Sequence, residues 1–319
     1  MSIITGNSLA RPRPELRDAY YQAIPQGWIA DQVAPFLSVE TKSGQIEVVK
    51  RESMLGNETT AKRAPDGSYG SVDLYIGKVD YDCEDIGKEH TIKNGDGSTI
   101  SLNRELAATM LLNSVVNTFK EHLFVADLFT NWSGSSGNAG TSWATLASST
   151  PIADLNTAIL ATTVASGVKP NAIVLNSLTL SYLLNAASTR ALFPGAQVVT
   201  LDVLNAQLPA LVGVKYIFEG SAVYNSAVEG LPFNGAFIVP SNKVMLCTVP
   251  VGVSPTDPLA PATMRTAVWA EDAGSGELVV ENYRDERRRG EVYRVRTNID
   301  HVLMDKATGY LLTTTPAET

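Results

Sequence analysis

Cysteine is nearly absent from this chain. Only Cys83 and Cys247 occur in 319 residues, with no CxxC pair, which excludes a disulfide scaffold and a Cys-rich zinc site. Histidine is almost as scarce. His90, His122 and His301 stand far apart, with no HExxH or paired-ligand spacing, so structural roles suit them better than a metal site. No run of about 18 uninterrupted apolar residues is present, so a membrane span is not expected. Met1 to Arg17 lacks the continuous apolar core of a secretory signal, and the expected compartment is cytoplasmic and reducing. A surplus of positive charge is lacking too: Lys plus Arg number 25 against 33 Asp plus Glu, a formal charge of -8. A chain whose main task is gripping nucleic acid carries a basic excess that displaces counterions. Contact with DNA is therefore expected to be local, or limited to enclosing it.

The usual catalytic signatures are missing as well. No GxxxxGK[ST] occurs, and Gly87-Lys88-Glu89 lacks the hydroxyl residue that would meet magnesium. Ser133-Gly134-Ser135-Ser136-Gly137 has the wrong glycine spacing for a GxSxG elbow and follows a helix, so it reads as a flexible linker. Asp80, Asp82, Glu84 and Asp85 resemble a calcium loop only superficially. The sixth position is Asp85 where glycine is required, and the twelfth is Thr91 where glutamate is expected. A solvated strand end is the better reading. Asn57-Glu58-Thr59 and Asn131-Trp132-Ser133 match a glycosylation pattern that has no meaning without a signal peptide. No cofactor is expected.

What is present is the composition of a folded protein, 44% hydrophobic and 18% charged. Residues 1 to 38 hold Pro12, Pro14, Pro25 and Pro35 among Tyr20, Tyr21, Trp28 and Phe36. Repeated proline interrupts helix, so this is an extended arm whose aromatics need a surface to lie on. Two strand-like stretches follow, around Ile46-Val48-Lys50 and Val72-Leu74-Ile76, with an apolar phase that flips after Gly77 to Val79, Tyr81 and Cys83. That flip predicts a bulge or sharp twist. The polar stretch from Arg51 to Gly70 between them is long for a structureless connection, and a lone two-stranded ribbon is marginal in water. A ribbon that projects and rests on another molecule satisfies both facts.

Asn94-Gly95-Asp96-Gly97 is a turn, and Ser101 is the N-cap expected for a long helix from Leu102 to about Thr130. Ala108, Leu112, Val115, Phe119, Leu123 and Ala126 are expected on its buried face, with Asn113, Asn117, Lys120 and Asp127 opposite. At about 1.5 Å per residue it is roughly 40 Å long, a spine. From 150 to 265 helix and strand signals alternate as a separate α/β lobe, with a helix begun by Thr150-Pro151 and ended by Gly167. Long strands return at Ala267 to Ala270, Leu278 to Tyr283, Val292 to Ile299 and Tyr310 to Thr313. Along the third of these, Tyr293, Val295 and Thr297 face a core while Arg294, Arg296 and Asn298 face out.

This order of parts resembles the Hong Kong 97-type phage capsid fold. The local wording does so too, in Trp269-Ala270-Glu271-Asp272, Glu281-Asn282-Tyr283-Arg284-Asp285, Val292-Tyr293-Arg294-Val295-Arg296 and Gly309-Tyr310-Leu311-Leu312. The resemblance implies an α+β chain with an N-arm over 1-38, an E-loop ribbon over 39-85 and a peripheral domain with its spine helix over 86-149. An axial domain over 150-265 and returning peripheral strands over 266-319 complete it. It implies a shell-forming major capsid protein, not an enzyme, which associates with itself as hexamers and pentamers in the host cytoplasm and ends in the virion. The partners implied are a portal protein, a decoration protein and packaged double-stranded DNA held without sequence-specific contacts. The arm begins almost at Met1, with no charged helical pro-segment before it, so a separate scaffolding protein, or none, is implied. Some members join subunits by a Lys–Asn isopeptide. Lys62, Asn282 and Asn298 occupy comparable regions here, but a solvated lysine and strand asparagines are the reading taken.

The residues expected at contacts between subunits are Lys62 and Arg63 at the ribbon tip, Arg51 and Glu52 at its base, and Asp285, Glu286, Arg287, Arg288 and Arg289. The last cluster admits three readings: a solvated hairpin end, a partner for acids on a neighbour, or a contact with DNA whose field the adjacent acids offset. Two rival functions stand beside the phage capsid. An encapsulin-type shell encloses a cargo enzyme in place of a genome. An α/β enzyme would keep its site in 150 to 265, a stretch that contains no histidine.

Overall fold

The computed structural model describes residues 27–50, 67, 75–93, 104–193, 199–228, 230–250, 260–270 and 278–315, together with a two-residue strand, β1, at Arg11–Pro12. The turn at 94–97, the cap at Ser101, most of the polar stretch 51–70 and Glu271-Asp272 lie outside the described residues.

The first sheet runs β1, β13 (Val279–Asp285), β14 (Gly290–Leu303), β12 (Met264–Trp269), β2 (Phe36–Val39), and β5 (Glu84–Lys93) adds to the other side of β14. All its pairings are antiparallel except β12 with β2. A short helix, α1 (Ala30–Val33), precedes β2. The spine, α2 (Arg104–Val125), lies across β5 and β14 and continues into a π-helical turn at Ala126–Thr130.

Its orientation corrects the sequence expectation. Leu112 and Val116 go into the sheet with Ile86, Val280, Tyr293 and Val295, but so much of the buried stripe is polar that Asn113, Asn117, Lys120 and Glu121 are buried too. Val115 and Phe119, assigned inward from the sequence, are 42% and 49% exposed. The reason is that Lys120 pairs with Asp31, Glu121 accepts the N–H groups at the start of α1, and Asn117 donates back to the Asn113 carbonyl, none of which periodicity alone reveals.

The ribbon consists of β3 (Ser43–Val49) and β4 (Ile76–Asp82), which among the described residues pair only with each other, in continuous register from Ser43↔Asp82 to Val49↔Ile76. No bulge interrupts that described pairing. The expected phase flip arises because Ile76 is simply exposed, while Val79 and Tyr81 turn inward. Ile46, Tyr81 and Cys83 seat the ribbon's base on Leu37, Val39, Ala267 and Val302. The far end of its described part, at Tyr75 and Ile76, is exposed.

The second sheet runs β6 (Ser135–Asn138), β15 (Tyr310–Thr313), β11 (Lys243–Cys247), β7 (Ala172–Asn176), β8 (Tyr216–Gly220). The Ser-Gly stretch read as a linker is therefore strand β6, parallel to β15. Its side chains have no strand preference; the backbone pairing and the Trp132 Nε1 hydrogen bond to the Ser135 carbonyl (2.9 Å) hold it. Helices α3 (Pro151–Ser166), α4 (Ser177–Asn185), α5 (Ala187–Ala191) and α6 (Leu201–Leu211) belong to this lobe. Leu155, Leu183, Leu204 and Leu208 bury one face of the sheet. The other face, through Val174, Met245 and Leu311, packs on Phe124, Leu128 and Phe129 at the end of the spine. Covered on both faces, β7 is buried at every position. α3 starts and stops as its sequence requires: Pro151 at the first turn, and Gly167 left-handed at φ 71, its N–H on the Thr163 carbonyl.

Candidate functional site

β13 and β14 join through a tight turn at the charged cluster. Asp285 Oδ1 accepts the backbone N–H groups of Arg287 (2.8 Å) and Arg288 (3.3 Å), which closes the turn from within. Arg289 then takes a left-handed φ of 47. Arg288 reaches across the sheet to β5, donating to Glu89 Oε1 and to Thr91 Oγ1, each at 3.1 Å. Arg284 pairs with Glu286 at 2.5 Å. Of the five expected contact residues here, Asp285 and Arg288 hold the molecule's own turn. Arg287 and Arg289 are exposed and make no ion pair among the described residues. Arg51, Glu52, Lys62 and Arg63 lie outside the described residues.

The outer face of the first sheet continues this charge pattern. Arg296 grips Glu281 through Nε (3.2 Å) and Nη2 (2.9 Å). Arg294 lies 5.1 Å over the Tyr283 ring, and Tyr283 donates to Glu89 Oε2 at 3.0 Å. Burial works against ionising Glu89, but the hydrogen bonds from Tyr283 and Arg288 outweigh it and hold the carboxyl below its ordinary range. An open groove of about 460 Å³ runs beside this row, lined by Lys42, Lys88 and Trp269. Sequence reading found Arg294 and Arg296 but missed Glu89, because the strand that carries it is too polar to announce itself.

A second polar centre lies where the chain enters the first sheet. Glu121, 1% exposed, accepts the N–H groups of Ile29 (3.2 Å) and Ala30 (3.0 Å) at the start of α1. Lys120 pairs with Asp31 and sits 4.9 Å over the Phe36 ring. Burial pushes the Glu121 carboxyl up to about 7, although those backbone donors pull it back. His301, on β14 beneath, is pushed down to about 4 by burial, with Lys120 adding to the shift. The Thr266 hydroxyl donates to the Ala34 carbonyl (2.9 Å), so His301 Nδ1 is the donor in its 3.0 Å contact with Thr266. His122 packs edge-on to Tyr224, and His90 lies exposed on β5. Cys83 and Cys247 are free and buried. Among the described residues no group of three His, Cys, Asp or Glu could hold a metal, and no helix is long and apolar enough to cross a membrane. Asn298 is buried, and Asn282 is half-buried against β1.

No family model and no curated protein matches the chain. Solved structures do. A phage-related protein from Bordetella bronchiseptica shares 18% identity over 97% of this chain and 99% of its own, with a TM-score of 0.69. A virus-like particle from Pyrococcus furiosus matches at 13% identity over 94% of this chain and 98% of its own, with a TM-score of 0.58. The capsid of a native GTA particle matches at 12% identity over 92% of each chain, with a TM-score of 0.56. The chain has the Hong Kong 97-type capsid fold. Within this capsid fold, β14 separates two features the sequence singled out. Its first residue, Gly290, meets the charged turn, and Val302 near its last supports the ribbon. The twelve steps from Gly290 to Val302, at about 3.3 Å each, place them roughly 40 Å apart.

Proposed function

We propose that the chain is the major capsid protein of a tailed DNA bacteriophage, a structural subunit with no catalytic role. One observation carries the reading: a capsid fold over nearly the whole chain, with a ribbon that among the described residues is seated at its base and exposed at Tyr75 and Ile76. A ribbon of that kind becomes stable against a second molecule, and repeated unlike contacts between copies close a shell. Hexamers and pentamers are the building blocks on this reading, with the arm over 1-38, the E-loop over 39-85 and the axial lobe over 150-265 as their contact elements. Arg51, Glu52, Lys62, Arg63, Arg287 and Arg289 supply the charged contacts. A portal protein, a separate scaffolding protein and a decoration protein are the further partners, and packaged DNA is enclosed without sequence-specific contacts in keeping with the net charge of -8.

The match to a virus-like particle keeps one second reading in play, an encapsulin-type shell around a cargo enzyme. Both are tested by expressing the full chain alone and examining it by negative-stain electron microscopy with light scattering. Closed shells or capsomers are expected. A chain that remains monomeric at high concentration, with crowding agent and with its ribbon resistant to protease, contradicts both shell readings. Analysis of what particles from the native host contain, DNA or a protein cargo, then separates them.

A further inference from the structure

The second lobe carries two apolar patches of different shape at opposite edges of its sheet. The first lies on the loop between β9 (Val223–Asn225) and β10 (Gly235–Phe237), which leaves directly after edge strand β8. The described polar groups of this loop bond one another. Asn225 Oδ1 accepts the N–H groups of Ala227 (3.1 Å) and Asn234 (3.0 Å), and Ser226 donates its own N–H to the Asn234 carbonyl (2.8 Å). Its apolar side chains are turned outward instead: Val228 is 74% exposed, Leu231 63% and Phe233 73%. A loop whose described polar groups bond one another while three large hydrophobes face outward is shaped before it meets a partner.

The second patch is the outer face of α3, which packs beside β15 toward the opposite edge. A helix facing water normally turns charge toward it. Here the exposed positions are Ala153, Thr157, Leu160, Ala161, Val164 and Ala165, with Leu160 at 66% and Val164 at 87%. The helix contains one charged residue, Asp154, and its carboxylate is engaged by Trp143 Nε1 at 2.9 Å. The Thr157 hydroxyl donates back to the Ala153 carbonyl at 3.0 Å, which leaves the face smooth and without a free donor there.

We propose that the loop at Val228, Leu231 and Phe233 docks on the outer face of α3 in the next copy of the chain. A second copy is the fitting occupant because one lobe presents both halves, an apolar loop and a helix face without an exposed charge, toward opposite edges of its sheet. Unlike patches at opposite edges make a head-to-tail contact, and such contacts generate closed rings when the rotation per subunit allows. The inference rests on the shell-subunit reading and gives that reading a ring contact outside the arm and the ribbon.

The test uses the full chain with Phe233→Cys and Leu160→Cys together, oxidised mildly after assembly. Cys83 and Cys247 are both buried and do not compete. The expected result is a reducible ladder of linked chains that stops at the ring number, six or five. Val164→Cys with Leu231→Cys probes the same contact through different side chains should the first pair hinder assembly. Phe233→Cys with Asp202→Cys, on the exposed side of α6, is expected to give no ladder. Shells that form without a ladder from either designed pair overturn the contact and leave the shell reading standing. A wild-type chain that stays monomeric at high concentration with crowding agent, its ribbon resistant to protease, removes the shell reading and this contact together.

Discussion

At the scale of single residues, two positions have consequences out of proportion to their size. A Cβ on Gly290 would collide with the backbone carbonyl of Ile92 on β5, which cannot yield as a side-chain tip would. Gly290→Ala is expected to destabilise the fold by about 1–3 kcal/mol, as overpacking of a close crossing does. Urea unfolding checks it, and an unchanged midpoint would mean that β5 and β14 separate locally at no cost. The second position is the Glu121–His301 centre. Glu121 binds its proton more tightly when folded, at about 7 against an ordinary 4.5. Its stabilising contribution is therefore full below pH 4.5 and lost as pH rises to 7. His301 is the reverse, about 4 against 6.5, so its contribution is full above pH 6.5 and lost as pH falls to 4. Between pH 4.5 and 6.5 the two slopes oppose each other. Glu121→Gln is expected to leave a melting temperature that climbs across that range, and His301→Gln one that declines. Parallel curves for the two variants and the wild type would count against this assignment.

Among the elements, legibility followed how each one earns its stability. α3 could be read to the residue because its Pro151 start and Gly167 stop are local chemistry. The buried strands β7 and β11 could be read because continuous apolar runs have few other uses. β5 and β6 could not. Residues 84–93 are mostly charged or polar and become a strand through ten paired positions along β14, a partner two hundred residues away. Ser135–Asn138 is a strand only because β15 offers its edge. α2 was placed correctly in extent and half wrongly in facing, since Lys120 and Glu121 are buried by partners on α1 that no periodicity encodes. The charged turn was visible as a cluster, but its internal partner Glu89 was hidden in the unrecognised strand. The facing itself is testable. Leu112→Ala is expected to cost about 2–5 kcal/mol as a core truncation, whereas Leu111→Ala, one residue away and 55% exposed, stays within about 0.5 kcal/mol. Equal costs in a urea titration would contradict the described facing, in which Leu112 is buried and Leu111 is not.

For the whole molecule, exposed charge and buried structure divide the work. Arg287 and Arg289 lie outside the internal network, so Arg287→Ala with Arg289→Ala is expected to leave monomer stability within about 0.5 kcal/mol. Assembly followed by light scattering should become slower and less sensitive to salt, because rim charges act on encounter more than on final affinity. Identical kinetics at every salt concentration would assign those arginines to solvent alone. The spine has a different consequence. Leu112 and Val116 belong to the core of the first sheet, while Phe124, Leu128 and Phe129 belong to that of the second. One helix thus acts as a beam clamped at both ends, with the π-helical turn at Ala126–Thr130 as its fulcrum. At 22 residues and about 1.5 Å each, a rotation of about 10° there carries the far end about 6 Å. A small tilt of one lobe is thereby geared into a large stroke at the rim of the other.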